Sequence, residues 1–243
     1  MSVFMNTLRS EFLKIRKTNI TQLIIVSPLI CTIIAFSGGF AVSDNEWLNS
    51  YYAMVFTHGT LFLPMITGIF ACYVCRYEHL DGGWKQMLTL PIPRYQLYIV
   101  KFTMIMLLIG LMQLLFLPGL FLAGTVKGMA GSFPLELVLT SLLGGWIATF
   151  PLVALQLWVS TAWKSFAAPM AINVIFTFPS ILAANSEKFG PYYPWAQPFF
   201  GMIPMEGPES MFFFSIQTLI FVILGSFLVF FFGGLRMFVR RVY

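Results

Sequence analysis

The sequence predicts an all-α polytopic membrane protein with six transmembrane helices and both termini in the cytoplasm. Three observations predict it. Hydrophobic residues make up 58% of the chain and charged residues only 9%, against about 45–50% and about 25% in soluble domains. Six apolar runs are each long enough to cross a hydrocarbon core of about 30 Å, which takes roughly 20 helical residues. The basic residues are sorted between the two sides of those runs, 12 against 2. With 14 basic and 9 acidic residues among 243, the chain cannot build a water-facing surface, so its solvent is lipid.

The runs lie at 20–41, 51–75, 99–122, 136–160, 166–184 and 211–235. None carries a charge near its middle. Lys101 and Glu136 fall at run ends, where long side chains are expected to reach the headgroups. Proline occurs inside several runs (Pro28, Pro64, Pro118, Pro151, Pro169, Pro179), which membrane helices tolerate when neighbours satisfy the freed carbonyls. The first apolar stretch begins about 20 residues in and lacks a small-x-small cleavage site, so a retained span is expected rather than a signal peptide.

Orientation follows from the cations. With the N-terminus inside, Arg9, Lys14, Arg16, Lys17, Arg76, Lys85, Arg94, Lys101, Lys164, Arg236, Arg240 and Arg241 are cytoplasmic, while Lys127 and Lys188 are outside. Lysine and arginine concentrate on the cytoplasmic side of membrane proteins. The net charge of +5 therefore records topology, and no nucleic-acid partner is expected.

Two cytoplasmic segments have structure of their own. In residues 1–17, Met1, Phe4, Met5, Leu8, Phe12 and Ile15 form an apolar stripe with Glu11 at its edge and Arg9, Arg16 and Lys17 opposite. Such a helix lies flat at the membrane surface with its cations near anionic headgroups. The second segment runs from Arg76 to Arg94 and is too long for a turn. Gly82 and Gly83 free the backbone, Trp84, Met87 and Leu88 form one face of a short helix, and Pro91 and Pro93 end it. That face is expected to point toward the cytoplasm or the membrane surface, where an aromatic anchor suits protein docking.

The run Glu78-x3-Gly82-Gly83-Trp84-Lys85-x2-Leu88-x-Leu90-Pro91-x-Pro93-Arg94-x2-Leu97-Tyr98-x2-Lys101 resembles the loop between the second and third spans of ABC type-2 exporter permeases. Gly83 stands where threonine is common and Pro93 where serine is common. The opening Ser10-Glu11-Phe12-Leu13-Lys14 and the six-span layout resemble that family too, and the size and loop are most similar to permeases of lantibiotic-immunity and bacitracin-type peptide exporters.

The resemblance implies one transmembrane domain over residues 1–243. It implies a coupling helix at 78–93, with Glu78, Gly82, Gly83, Trp84, Lys85, Met87, Leu88, Pro91 and Arg94 meeting an ATP-binding subunit, and an elbow helix at 3–17 that includes Phe4, Leu8, Glu11, Phe12 and Ile15. The last outer loop, 185–210, would fold back to the membrane as short helices. Its Tyr192, Tyr193, Trp195, Phe199 and Phe200 are candidates for facing substrate, or for an aromatic belt at the interface.

No Gly-x4-Gly-Lys-Ser/Thr phosphate loop is present. The chain is thus expected to be a transport subunit and not an enzyme, binding no cofactor itself, while ATP and Mg are used by a partner ATPase. The partners expected are two copies of that ATP-binding subunit, a second six-helix permease and membrane lipid. The expected location is the bacterial cytoplasmic membrane.

Other constellations are weak. Cys72, Cys75 and His79 share a helix face, but structural zinc sites take four ligands, so packed thiols and a hydrogen-bonded histidine are expected and no metal. Cys31 lies in another apolar run, and no disulfide framework is expected. His58 is titratable inside a run without a carboxylate chain to relay protons, so a packed role is expected. Gln113, Gln156, Asn173 and Gln217 are intramembrane amides that join helices. Two other functions stay open: a secondary transporter, which calls for buried charges, and a non-hydrolytic immunity or scaffold protein that sequesters a toxin.

Overall fold

The computed structural model describes residues 3–16, 18, 20–37, 40, 43–79, 83–89, 91–186, 188–203 and 215–241. Every regular element among them is helical. Helix α1 is Val3–Arg16 and α2 is Ile20–Phe36. Helix α3, Glu46–Thr57, continues through a π-helical turn, His58–Phe62, into α4, Leu63–His79. A short α5, Gly83–Leu88, precedes the long α6, Arg94–Lys127. Then follow α7, Leu135–Ala148, and α8, Phe150–Ala162, which together form one apolar rod. Helices α9, Ala167–Thr177, and α10, Ser180–Ala184, lead to a 3-10 turn at Gly190–Tyr192, to α11, Gln197–Met202, and to α12, Ile216–Arg240.

Among the described residues, five segments are long and apolar enough to cross a membrane: Glu46–His79, Arg94–Lys127, Leu135–Ala162, Ala167–Ala184 and Ile216–Arg240. Of the six expected crossings, five are matched on length and composition among the described residues. The first falls short because its apolar helical part, Gln22–Phe36, has fewer than 18 residues, and the end of that run lies partly outside the described residues.

Helix α6 is the axis of the bundle. Its 34 residues span about 50 Å at 1.5 Å per residue, so it projects beyond the hydrocarbon core. Buried residues run from Leu97 to Gly124, with α2 packed along it and α1 against its first part. Helix α8 packs on α4 and α12, and α11 packs on α7. Leucine and phenylalanine on the outer faces of α6 and α12 (Leu107, Leu114, Phe121, Phe221, Leu228, Phe232) are exposed, as lipid contact requires.

Proline and small residues shape the span that carries His58. Pro64 has no N–H for the carbonyl of Thr60, and the ladder shifts to a five-residue register there, with Leu63 N–H donating to His58 O. The Ser180 hydroxyl donates to Thr60 O at 2.5 Å, supplying the donor that Pro64 lacks. One turn further on, Asn173 donates to Pro64 O (3.2 Å) and Met65 O (2.9 Å) and accepts from Gln156 (2.8 Å) and Trp195 (2.9 Å). It thereby ties α4, α8, α9 and the last outer loop together. Gly68 makes room for it, since a Cβ there would overlap the Asn173 amide. These bonds give Gln156 and Asn173 the helix-joining role expected of them. His58 is fully buried and bonded through Nδ1 to Ser27 Oγ at 2.6 Å, the packed role expected. Gln217 is exposed instead, on the outer side of α12.

Candidate functional site

The described residues of the Arg76–Arg94 segment gather at one end of the bundle, where α1, α4, α5, α6, α8 and α12 meet. Helix α5 doubles back against the end of α4. A Cβ on Gly83 would stand 2.7 Å from Tyr77 O and 2.9 Å from Glu78 Cα, so a glycine is needed where the resembled loops carry threonine. Gly82 lies outside the described residues.

Trp84 is 5% exposed. Its indole N–H donates to His79 Nδ1 at 3.1 Å, and its ring meets Phe238 edge-on at a 5.2 Å centroid distance. Met87 and Leu88 are partly buried against the same core, while Lys85, Gln86, Thr89 and Pro91 are exposed. The expectation of an outward Trp–Met–Leu face is therefore reversed. The apolar face is consumed in anchoring α5 to its own bundle, and α5 turns Lys85 and Gln86 outward.

His79 is locked by the same contact. An indole N–H can only donate, so Nδ1 accepts and Nε2 carries the proton that it donates to Ser160 O at 2.7 Å. Both ring nitrogens are thus engaged, and the histidine bridges α5 to α8. Cys72 and Cys75 are buried free thiols, with Cys72 Sγ 3.7 Å from Ser160 Oγ.

Behind α5 is a closed ring of charge. Lys14 Nζ lies 2.6 Å from Glu11 Oε1 and 2.6 Å from Glu78 Oε1, and Lys101 Nζ lies 3.0 Å from the other oxygen of each carboxylate. Lys101 spends its remaining donor on Val74 O at 2.6 Å and sits 5.6 Å from the Trp84 ring centroid. Glu11, Glu78 and Lys101 are all at most 3% exposed. Two cations and two anions cancel, which is how buried charge becomes tolerable.

Three expectations are corrected here. Lys101 does not reach the headgroups, because two carboxylates and a carbonyl hold it inside. The Glu78 side chain is turned inward, because its carboxylate pairs with Lys14 on α1 and Lys101 on α6. On α1 the buried side is Thr7, Glu11 and Ile15, with Phe4 and Leu8 partly buried and Phe12 48% exposed, so Glu11 is the centre of the contact rather than its edge.

Arg94 caps a different helix. Its guanidinium donates to Val239 O and Arg241 O, each at 3.0 Å, and Arg241 in turn donates to Thr161 O at 2.8 Å and to Ala162 O. These bonds satisfy the carbonyls orphaned at the ends of α12 and α8.

At the opposite end, the described stretch 190–203 of the last loop is largely internal. Trp195, Phe199 and Phe200 are buried, Trp195 stacks on Phe176 at 5.0 Å, and α11 lies flush on α7. A Cβ on Gly201 would meet Gly144 O and Ala148 Cβ at 2.6 Å each. Tyr51 donates to Met202 O at 2.8 Å. Tyr193 is partly buried, donates to Phe176 O at 2.6 Å, and burial pushes its phenol pKa up. Of the five aromatic candidates only Tyr192 is freely exposed, at 62%. Both readings expected for the cluster give way to a packing role for Trp195, Phe199 and Phe200.

Lys14, His79 and Arg241 complete the assembly at the basic end, and sequence reasoning assigned them no such part. One signal pointed to the ring: Glu11 and Glu78 are two of the few acidic residues on a side otherwise dense in cations.

A comparison with curated proteins gives no match. The model of the ABC-2 family transporter proteins matches residues 7–180, a stretch that includes α5, all four members of the charge ring and the amide network up to Ser180. Permeases of this family are membrane transport components without an ATPase site of their own, they pair with an ATP-binding subunit and dimerise, and their usual location is the cytoplasmic membrane. With five membrane-length apolar helices among its described residues, and a match extending over most of its length, this multi-pass chain belongs to the ABC-2 family of transporter proteins.

Proposed function

We propose that the chain is the permease of an ATP-driven exporter and that residues 78–93 are where its ATP-binding subunit docks. The observation that carries this reading is the two-sidedness of α5. One side is keyed by Trp84 into His79 and Phe238, hence into the ends of α4, α8 and α12. The other side leaves Lys85 and Gln86 open. A rigid element with one face fixed to several spans and one face free can transmit a push to all of them together.

In this reading ATP and Mg bind the partner subunit, in two copies, and this chain binds neither. Closure of the two ATPases displaces α5 and, through Lys14, Glu78 and His79, carries α1 and α8 with it. A second six-helix permease, identical or homologous, completes the path. The work comes from the difference in nucleotide affinity between the two states. The cargo is an amphipathic antimicrobial peptide of the lantibiotic type, drawn from the membrane. The likeness to lantibiotic-immunity and bacitracin-type permeases supports that choice.

The test is co-expression with the cognate ATP-binding subunit. Lys85→Glu combined with Gln86→Glu should abolish co-purification and peptide-stimulated ATP turnover while the permease itself stays folded. Retention of both activities would remove α5 as the docking element. Protection against the peptide that survives an ATPase-dead partner would instead favour a sequestering scaffold.

A further inference from the structure

A second feature of the basic end lies beside the docking element. A cavity of about 330 Å³ opens between α4, α8 and the start of α9, lined among others by Arg76, His79, Ser160, Lys164, Ser165 and Phe166. No carboxylate lines it, and neither Arg76 nor Lys164 pairs with a carboxylate among the described residues. We propose that this cavity binds the phosphate of an anionic lipid headgroup.

Its chemistry is one-sided. The C-terminal carbonyls of α8 would normally offer acceptors here, but Ser160 O is taken by His79, and Thr161 O and Ala162 O by Arg241. The Ser160 hydroxyl pairs with Cys72 Sγ at 3.7 Å, which leaves the Arg76 guanidinium, the Lys164 ammonium and the Ser165 hydroxyl among the lining groups as donors for a ligand. The first turn of α9, bordering the cavity through Phe166 and Pro169, adds the positive end of a helix dipole.

Arg76 is positioned rather than loose. Its guanidinium lies 5.6 Å from the centroid of Tyr73 and 5.8 Å from that of Phe166, contacts that hold a cation by the ring quadrupole. A planar guanidinium so fixed suits bidentate pairing with phosphate oxygens. Phe166 and Pro169 form an apolar rim suited to the start of an acyl chain. A soluble phosphate would use the same cations without that rim, so the two sources can be separated.

The test uses the full chain in a neutral detergent, followed by native mass spectrometry with phosphatidylglycerol, phosphatidylcholine or inorganic phosphate as the probe. Phosphatidylglycerol should be retained well above phosphatidylcholine, and millimolar inorganic phosphate should not displace it. At about 1 kcal/mol per basic residue near a membrane surface, roughly fivefold each, Arg76→Gln with Lys164→Gln should weaken retention about 30-fold. Arg76→Lys should keep most of it. The control is Arg9→Gln, an exposed cation on α1, which should cost no more than about fivefold. Displacement of the lipid by inorganic phosphate would keep the phosphate site but assign it a soluble ligand. Equal retention of both lipids, or equal losses in the double variant and the Arg9 control, would overturn the proposal.

Discussion

Lys101 Nζ stands 3.0 Å from Glu78 Oε2, and neither side chain is more than 3% exposed. The pair closes a ring with Glu11 and Lys14, so the surface helix, the end of α4 and the start of α6 are joined by charge as well as by packing. A buried pair of this kind is costly to break from one side only, because the surviving partner keeps its desolvation cost.

Lys101→Met should accordingly destabilise the folded chain by about 3–5 kcal/mol. The triple change Lys101→Met, Glu11→Gln, Glu78→Gln should recover much of that loss. Thermal unfolding in detergent measures both. A single variant as stable as the starting protein would show that the ring carries little.

The amide network makes a separate prediction. Asn173→Ala removes bonds to four partners on α4, α8 and the outer loop, and intramembrane side-chain bonds are worth about 1–2 kcal/mol in model helices. Gly68→Ala should also destabilise the chain, because the new methyl would overlap the Asn173 amide. Adding Asn173→Ala to Gly68→Ala should then cost less than the sum of the two single losses, read as thermal midpoints.

At the opposite end, Gly201→Ala should separate α11 from α7, since a Cβ there meets Gly144 O and Ala148 Cβ at 2.6 Å each. Overpacking of this kind costs about 1–3 kcal/mol. Limited proteolysis should cut the last outer loop faster in the variant, and Tyr192→Ala, at an exposed position, should leave the cutting rate unchanged.

Much of this architecture was legible in the residues. The apolar runs, the short helix after Gly83 and the helix-joining part of Asn173 follow from period, punctuation and the cost of an unpaired amide in lipid. What hid was partner choice. A Trp–Met–Leu stripe at i, i+3 and i+4 says that a helix has an apolar face, but not whether that face meets another protein or its own bundle. Lys101 looked free to snorkel because its two carboxylates lie 90 and 23 positions away in sequence. The π turn at His58 was hidden for a related reason: Pro64 reveals a missing donor, but Ser180, which answers it, lies 120 residues beyond the Thr60 carbonyl it bonds.

The central claim is that the exposed side of α5 is the contact for the ATP-binding subunit. Gln86→Cys tests it directly, since Cys31, Cys72 and Cys75 are all buried and offer no competing thiol. A thiol-anchored photo-crosslinker at position 86, in membranes holding both subunits, should join this chain to the ATP-binding subunit with a yield that changes on adding ATP. The same probe at Thr140, exposed on α7, should not. Equal crosslinking from the two positions, or none from position 86 in an assembly that still turns over ATP, would contradict the account.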